Sequence, residues 1–196
     1  MTVQRQMLAL QWGQLQHDEL YHKDIVRLPV GDRLRHMTLH MAKYLGVIVE
    51  ALEARDDERI EGTLVDMFII DLASANALNM DLGREATAGR TQIFDNLVEL
   101  GVAIATELGR PDDDGMWLVR RIAHHSGRLA KACESLDHLE AFPFRETLRD
   151  HVLGLFKVVI AEASFRQIDL TERSSARLKT VESANIFDDL YRAGGY

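Results

Sequence analysis

Prolines are rare and widely spaced in this chain, and their spacing is the strongest constraint on its fold. The 196 residues contain only three of them, Pro29, Pro111 and Pro143. Proline interrupts a helix, so the long segments between these positions are free to be helical. Apolar residues recur along those segments every three or four positions, as in amphipathic helices. No segment alternates apolar and polar residues between turn residues, as a half-buried strand would. The sequence therefore predicts an all-α helical bundle.

Seven helices are predicted from the apolar periodicity and the breaks between its segments. They cover approximately residues 2–26, 33–54, 58–78, 91–108, 116–139, 146–166 and 180–192. Asp32 stands where a side chain would cap the second helix. The third helix is apolar on nearly every side, so we expect it at the centre of the bundle.

The composition excludes several classes of protein. Lys and Arg total 23 against 31 Asp and Glu, a formal net charge of −8, which argues against general nucleic-acid binding. No apolar run reaches the roughly 18–20 residues of a membrane span, and the first residues lack the pattern of a signal peptide. The single cysteine, Cys133, rules out an internal disulfide and is expected to be a packing residue. We therefore expect a cytoplasmic protein that does not insert into a membrane.

The second half of the chain repeats features of the first half. A linker is predicted at residues 109–115, GRPDDDG, between units 1–108 and 116–196. Residues 64–82 and 152–170 align without gaps, and both end in Asp-Leu. The later sequence IFDNL also returns as IFDDL. Two buried helices can share an apolar composition by chance, but the paired endings favour an internal duplication.

Helix 33–54 carries a polar face opposite its apolar stripe. At about 100° per residue, His36, His40 and Lys43 fall on one side of that helix. This face is interpreted either as a ligand- or metal-binding stripe or as a solvated surface. A zinc-protease motif is excluded because Met37, rather than glutamate, follows the first histidine.

Charged residues inside apolar surroundings are further site candidates. Asp66 and Asp71 lie in the most apolar helix, where a carboxylate needs a partner, a cation or an outward direction. His124 and His125 belong to a basic stretch in which arginines are suited to phosphate oxygens. The alternative for that stretch is charge balance against the acidic linker and Glu134.

The segment 40–83 resembles the MazG-like, all-α nucleotide pyrophosphohydrolases. Residues 42–52 read AKYLGVIVEAL, residues 63–70 read TLVDMFII and residues 75–83 read ANALNMDLG, which are similar to the two consecutive helices of that family. The resemblance implies two MazG-like helical units packed as an internal pseudo-dimer, with a further homodimer left open. It also implies Mg²⁺, held by carboxylates, as the cofactor of an active enzyme.

The resemblance also exposes a loss of metal ligands. The glutamate positions of the first family helix fall on Tyr44 and Val47, and that of the Glu-x-x-Asp pattern falls on Thr63. Only Asp66 is retained, as a candidate Mg²⁺ ligand, while the matching position of the second copy is Gly154. One carboxylate cannot assemble a cluster of metal ions.

Three functions follow as hypotheses. The first is a degenerate MazG-like protein that binds a nucleotide or phosphorylated metabolite without hydrolysis. The second is an active pyrophosphohydrolase with relocated carboxylates, such as Glu50, Asp71, Glu134, Asp150 or Glu162, and the third is a structural or interaction bundle. The residues predicted to bind ligand are His40, Lys43, Tyr44, Asp66, Asn76 and Arg128.

Overall fold

The structure, a computed structural model, describes residues 1–111 and 115–194 and is all-α over these residues. Part of the predicted linker, residues 112–114, lies outside the described residues. The helices are α1 (Val3–Tyr21), α2 (Lys23–Val26), α3 (Val30–Ala54), α4 (Asp57–Leu78), α5 (Leu82–Ala86), α6 (Leu97–Glu107), α7 (Gly115–Asp137), α8 (Phe144–Phe165), α9 (Leu170–Ser183) and α10 (Asp188–Gly194).

Four long helices form the centre of the bundle. Helix α3 packs on α4 and α7, and α8 packs on α4 and α7, so the four helices close a ring. Phe68 of α4 and Phe156 of α8 meet in the middle with ring centroids 6.2 Å apart, and both are fully buried. The prediction that α4 is central is confirmed, because twelve of its residues are buried.

The outer helices contact the central ones reciprocally. Helix α1 lies against α4, while α6 lies against α8; helix α5 of the first half touches α8, while α9 of the second half touches α4. Two equivalent units related by a pseudo-twofold axis would make these crossed contacts. The duplication and the pseudo-dimer remain predictions that this pattern supports.

Local capping explains several helix starts. The side chains of Asp56, Asp81, Asn96 and Asp169 accept hydrogen bonds from backbone N–H groups at the starts of α4, α5, α6 and α9, respectively. The two Asp-Leu endings of the repeat are therefore helix caps. The cap predicted at Asp32 is wrong, because α3 starts earlier and Asp32 lies in its first turn.

Some predicted boundaries also differ from the structure. The predicted helix 2–26 ends at Tyr21 and resumes as the short α2. The predicted helix 91–108 begins only at Leu97, and α5 was not anticipated. The predicted helix 180–192 is in fact the end of α9 followed by α10. Short helices and loops carry little apolar periodicity, which is why the pattern misplaces them.

A glycine permits the close approach of α6 and α8. A Cβ atom at Gly101 would collide with the Ser164 side chain and with the carbonyl oxygen of Ile160. The absence of a side chain at Gly101 therefore permits the close packing of α6 on α8. Across the described ranges, none of the helices combines the length and the apolar character that crossing a membrane would need.

Candidate functional site

A cavity of about 290 Å³ opens between α1, α2, α3, α4 and α9. This volume lies near the lower end of small-molecule pockets, which span about 300–1,000 Å³. Its polar lining is Gln14, His17, Asp18, His22, Arg33, His36, His40, Lys43, Tyr44, Asp66 and Arg177. Its apolar lining is Ile25, Val26, Met37, Ile69, Ile70, Ala73, Leu178 and Val181.

Helix α1 turns polar residues inward toward this cavity. Gln14, His17 and Asp18 are buried, whereas Leu8 and Trp12 on the same helix are 56% and 59% exposed. The apolar periodicity of the sequence does not account for these buried polar residues. They lie on the side of α1 that forms a wall of the cavity, and α1 also packs on α4.

Polar atoms at the α1 end of the cavity lack hydrogen-bond partners. Gln14 donates to Asp18 through a 2.8 Å bond from Nε2 to Oδ1. The ion pair between Arg33 Nη2 and Asp18 Oδ2 is long, at 3.8 Å. At this end of the cavity, the buried atoms without a hydrogen-bond partner are Gln14 Oε1, His17 Nε2, Asp18 Oδ2, Arg33 Nε and Arg33 Nη2. Buried groups of this kind are normally satisfied, and all four of these residues line the cavity, so a polar ligand bound there is one way to supply the missing partners.

At the α1 end of the cavity, burial has the largest effect on the pKa values of Asp18 and His17. It raises the pKa of the Asp18 carboxyl and lowers the pKa of the His17 imidazole. The Nδ1 atom of His17 lies 3.2 Å from Glu182 Oε1, which partly counters the effect of burial. A neutral His17 that donates Nδ1–H to Glu182 has Nε2 as an acceptor without a hydrogen-bond partner.

Three basic side chains of α3 form a row along the cavity. His40 Nε2 lies 3.1 Å from His36 Nε2, and Lys43 Nζ lies 3.2 Å from His40 Nδ1. Burial, followed by the charge of Lys43, lowers the pKa of His40 to about 4, so His40 is neutral at pH 7. The row therefore places the charged Lys43 beside a neutral His40, which is able to donate one hydrogen bond and to accept another.

Tyr44, Asp66 and Arg177 form the opposite end of the cavity. Arg177 Nε donates to Asp66 Oδ1 at 2.8 Å, and Nη2 donates to Oδ2 at 3.4 Å. Lys43 Nζ lies 4.3 Å from the centre of the Tyr44 ring. Burial and the nearby Asp66 carboxylate raise the pKa of the Tyr44 hydroxyl to about 12. Tyr44 is therefore a neutral aromatic surface beside two cations.

The structure brings together four of the six predicted ligand-binding residues. His40, Lys43, Tyr44 and Asp66 all line the cavity. Asn76 lies elsewhere: its side chain donates to Gln11 O at 2.8 Å and accepts from Gln11 Nε2 at 3.2 Å. Arg128 is exposed on α7 and is not part of the cavity lining.

Sequence analysis missed Arg33, His17, Asp18 and Arg177 as lining residues. Arg33 lies on α3 and Asp18 on α1, so their pairing becomes predictable only when these two helices are known to lie together. Arg177 lies 111 positions after its partner Asp66, so no local pattern connects them.

The carboxylates that were candidates for a relocated Mg²⁺ site are scattered and mostly paired with cations. Glu50 accepts from Arg59 at 2.5 Å, Glu134 from Lys131 at 2.6 Å, and Glu162 from Arg110 at 3.0 Å. Asp66 is paired with Arg177, and its role as a metal ligand stays a prediction. In the described part of the chain, one group of three His, Cys, Asp or Glu side chains is placed to share an ion, and it consists of histidines, His124, His125 and His151.

The candidate site is a small cavity whose lining includes buried polar atoms without partners and a row of basic side chains. Comparisons with protein-family models, with curated proteins and with solved structures return no match for this chain.

Proposed function

We propose that the cavity binds a nucleotide or a related phosphorylated metabolite and that the protein does not hydrolyse it in the manner of a Mg²⁺-dependent pyrophosphohydrolase. The observation that carries the proposal is the set of buried donors and acceptors without hydrogen-bond partners on Gln14, His17, Asp18 and Arg33, residues that line the cavity together with Lys43 and Arg177. Such groups cost stability unless a ligand or solvent satisfies them.

The charge distribution supports an anionic ligand. Arg33, Lys43 and Arg177 carry three positive charges against the two carboxylates of Asp18 and Asp66. Guanidinium and ammonium groups are well suited to phosphate oxygens.

The aromatic and apolar wall suits the remaining part of a nucleotide. Tyr44 is buried and lies beside His40, with ring centroids 5.7 Å apart. Ile69 and Ile70 of α4 supply apolar surface between the two polar ends. Aromatic and apolar surfaces of this kind hold a base by stacking and exclusion of water. The edge of the base, or the ribose hydroxyls, would pair with Gln14 and Asp18.

The described residues do not supply the ligand set for family-type hydrolysis. Mg²⁺ sites are built from several oxygen ligands. Tyr44 occupies one expected glutamate position, and Asp66 already shares both oxygens with Arg177. In place of Mg²⁺, the side chains of Arg33, Lys43 and Arg177 would neutralise the charge of the bound phosphates.

Lys43→Ala tests the binding site with little risk to the fold, because Lys43 is exposed on the cavity rim. We expect its affinity for ATP and for the deoxyribonucleoside triphosphates to fall by about tenfold, through loss of a charge-assisted contact. Calorimetric titration with and without Mg²⁺ measures this affinity. The matched control is Lys179→Ala, an exposed lysine of α9 outside the cavity lining. Equal affinities of the two variants, or no binding to the unaltered protein, would contradict the proposal.

Asp66→Ala tests the predicted lack of hydrolysis. We expect it to change nucleotide affinity or thermal stability, because Arg177 loses its partner, while neither protein turns over nucleoside triphosphates with Mg²⁺ or Mn²⁺. Release of pyrophosphate across a nucleotide panel is the measurement. Multiple turnover by the unaltered protein that Asp66→Ala abolishes would instead favour the active enzyme with relocated ligands.

The assembly of the two halves belongs to the same proposal. We propose an internal pseudo-dimer in which the first half provides most of the cavity and α9 of the second half closes it. The reciprocal packing of α5 on α8 and of α9 on α4 supports this arrangement. Homodimerisation of the whole chain remains compatible with it.

A further inference from the structure

Three histidines converge on the side of the bundle formed by α7 and α8. His124 and His125 follow one another on α7, and His151 projects from α8. One nitrogen from each ring lies within 4.8 Å of the other two. The ring centroids are 5.0, 5.2 and 5.5 Å apart. None of these residues lines the ligand cavity, so the cluster needs an explanation of its own.

The hydrogen-bond geometry indicates that the cluster has lone pairs available. His125 Nδ1 lies 2.9 Å from His151 Nδ1, which requires a lone pair on at least one of the two nitrogens. Burial lowers the pKa of His125 to about 4 and also lowers the pKa of His151. Neutral imidazole is the form that binds metal ions.

Gly154 makes the convergence possible. It lies one turn after His151 on α8, and a Cβ atom there would collide with the His125 ring. The ring therefore lies directly over the backbone of α8, close to His151. A larger residue at this position would push His125 out of the cluster.

We propose that His124, His125 and His151 bind a divalent ion that prefers imidazole ligands, of which Zn²⁺ is the representative. Tetrahedral Zn²⁺ with bonds of about 2.0–2.1 Å places its ligand nitrogens about 3.4 Å apart. The present separations need only a slight widening between His125 and His151 and an inward rotation of the exposed His124. Three protein ligands leave the fourth position open to solvent or to an exchangeable ligand.

The charged residues around the three histidines bear on whether the cluster would bind a metal ion or an anion. Arg121 and Arg128 of α7 and Asp150 of α8 are the charged groups that act on the cluster. Arg121 donates to Leu108 O at 3.1 Å, which directs part of its guanidinium to the backbone. An anion would be held best by protonated imidazoles, whereas burial lowers the pKa values of His125 and His151 and so favours their neutral forms. Metal–imidazole bonds are strong enough to form beside two arginines, with Asp150 as a partial counter-charge.

The proposal is tested with Zn²⁺ alone on the full chain. We expect Zn²⁺ to raise the melting temperature by several degrees, because an ion that bridges α7 and α8 binds only the folded state. His151→Gln is expected to reduce the affinity, measured against a competing chelator, by about tenfold or more. His138→Gln is the matched control, since His138 is an exposed histidine just after α7 and outside the cluster. Co²⁺ in place of Zn²⁺ should give the visible absorption bands of a tetrahedral site.

A second variant separates loss of the site from loss of the fold. Gly154→Ala retains all three histidines but displaces the His125 ring, so Zn²⁺ affinity should fall while circular dichroism confirms the helical bundle. Zn²⁺ binding that is equally strong in His151→Gln and His138→Gln would overturn the proposal. Stabilisation by inorganic phosphate but not by Zn²⁺ would also overturn it and would identify an anion site. Neither result depends on nucleotide binding in the other cavity.

Discussion

Glu162→Ala is expected to lower the free energy of unfolding by about 3–5 kcal/mol, the usual cost of removing one partner from a buried ion pair. Glu162 is fully buried in α8. Its carboxylate accepts from Arg110 Nε at 3.0 Å, from Arg110 Nη2 at 3.2 Å and from Arg166 Nε at 2.7 Å. Without the carboxylate, the Arg110 guanidinium, whose side chain is only 4% exposed, stays buried without its counter-ion.

The location of this pair explains why its loss should be felt throughout the protein. Arg110 follows α6, and its guanidinium carbon lies 3.3 Å from the centre of the Phe165 ring of α8. The pair therefore fixes the end of α6 and the chain beyond it onto α8. Arg166 extends the network to Asp57 at the start of α4, with a bond of 2.8 Å. The Glu162 carboxylate therefore links the end of α6, the end of α8 and the start of α4.

Urea unfolding monitored by circular dichroism measures the effect, and Glu50→Ala provides the matched control. Glu50 also pairs with an arginine, Arg59, but its side chain is 64% exposed. Exposed pairs contribute about 0–1 kcal/mol. If Glu162→Ala cost no more than Glu50→Ala, the buried pair would not have the structural role assigned to it here.

Asp71→Leu is expected to raise the free energy of unfolding at pH 7 by about 1–3 kcal/mol, the typical cost of a buried polar group without hydrogen bonds. Asp71 is completely buried in α4, and neither carboxylate oxygen has a hydrogen-bond partner. Leucine has the same branching as aspartate, and the adjacent small cavity is lined mainly by apolar residues such as Leu34, Leu129 and Leu155. Thermal or urea unfolding measures the gain.

The same residue predicts a pH dependence of stability. Burial raises the pKa of Asp71 well above 3.8 in the folded protein, whereas the unfolded chain retains the ordinary value. Between these two pKa values the folded state holds a proton that the unfolded state has released. The contribution of Asp71 to stability is therefore greatest below about pH 4, decreases as pH rises toward the folded-state pKa, and is constant above it.

Asp71→Asn removes this titration with little change of shape. The difference in unfolding free energy between the Asn variant and the unaltered protein should grow as pH rises from 4 through the folded-state pKa of Asp71. Asp95→Asn, at an exposed position, serves as the control. A difference that is flat with pH would mean that Asp71 is not a buried, protonated carboxyl group.

The sequence predicts the local structure well where the signals are short-range. Proline spacing and apolar periodicity give helices that match α3, α4, α7 and α8 to within about three residues. The apolar residues on nearly every side of α4 predict its central position. The short α5 and the break between α9 and α10 escape prediction, because a helix of one or two turns has too few residues to show a period.

The candidate site likewise contains residues that local sequence predicts and residues that only the packing of helices brings into it. His40, Lys43 and Tyr44 are neighbours on one helix, so their common direction is visible in the chain, and Asp66 stands out as a charge in an apolar segment. The sequence does not single out Arg177 in this way, because only the packing of α9 on α4 places it against Asp66. The buried polar face of α1 likewise depends on what lies opposite, because polar residues toward a cavity and toward solvent give the same sequence pattern.

The histidine cluster shows the limit of reasoning from adjacent residues. His124 and His125 attract attention as a pair, but His151 is 26 positions beyond His125 and carries no local signal of its own. Helical periodicity and capping act over a few residues, and they are written directly in the order of the amino acids. Cavities, buried ion pairs and shared ligands arise only when distant helices pack, so the pairing of Glu162 with Arg110, the isolation of Asp71 and the meeting of three imidazoles were settled by packing alone.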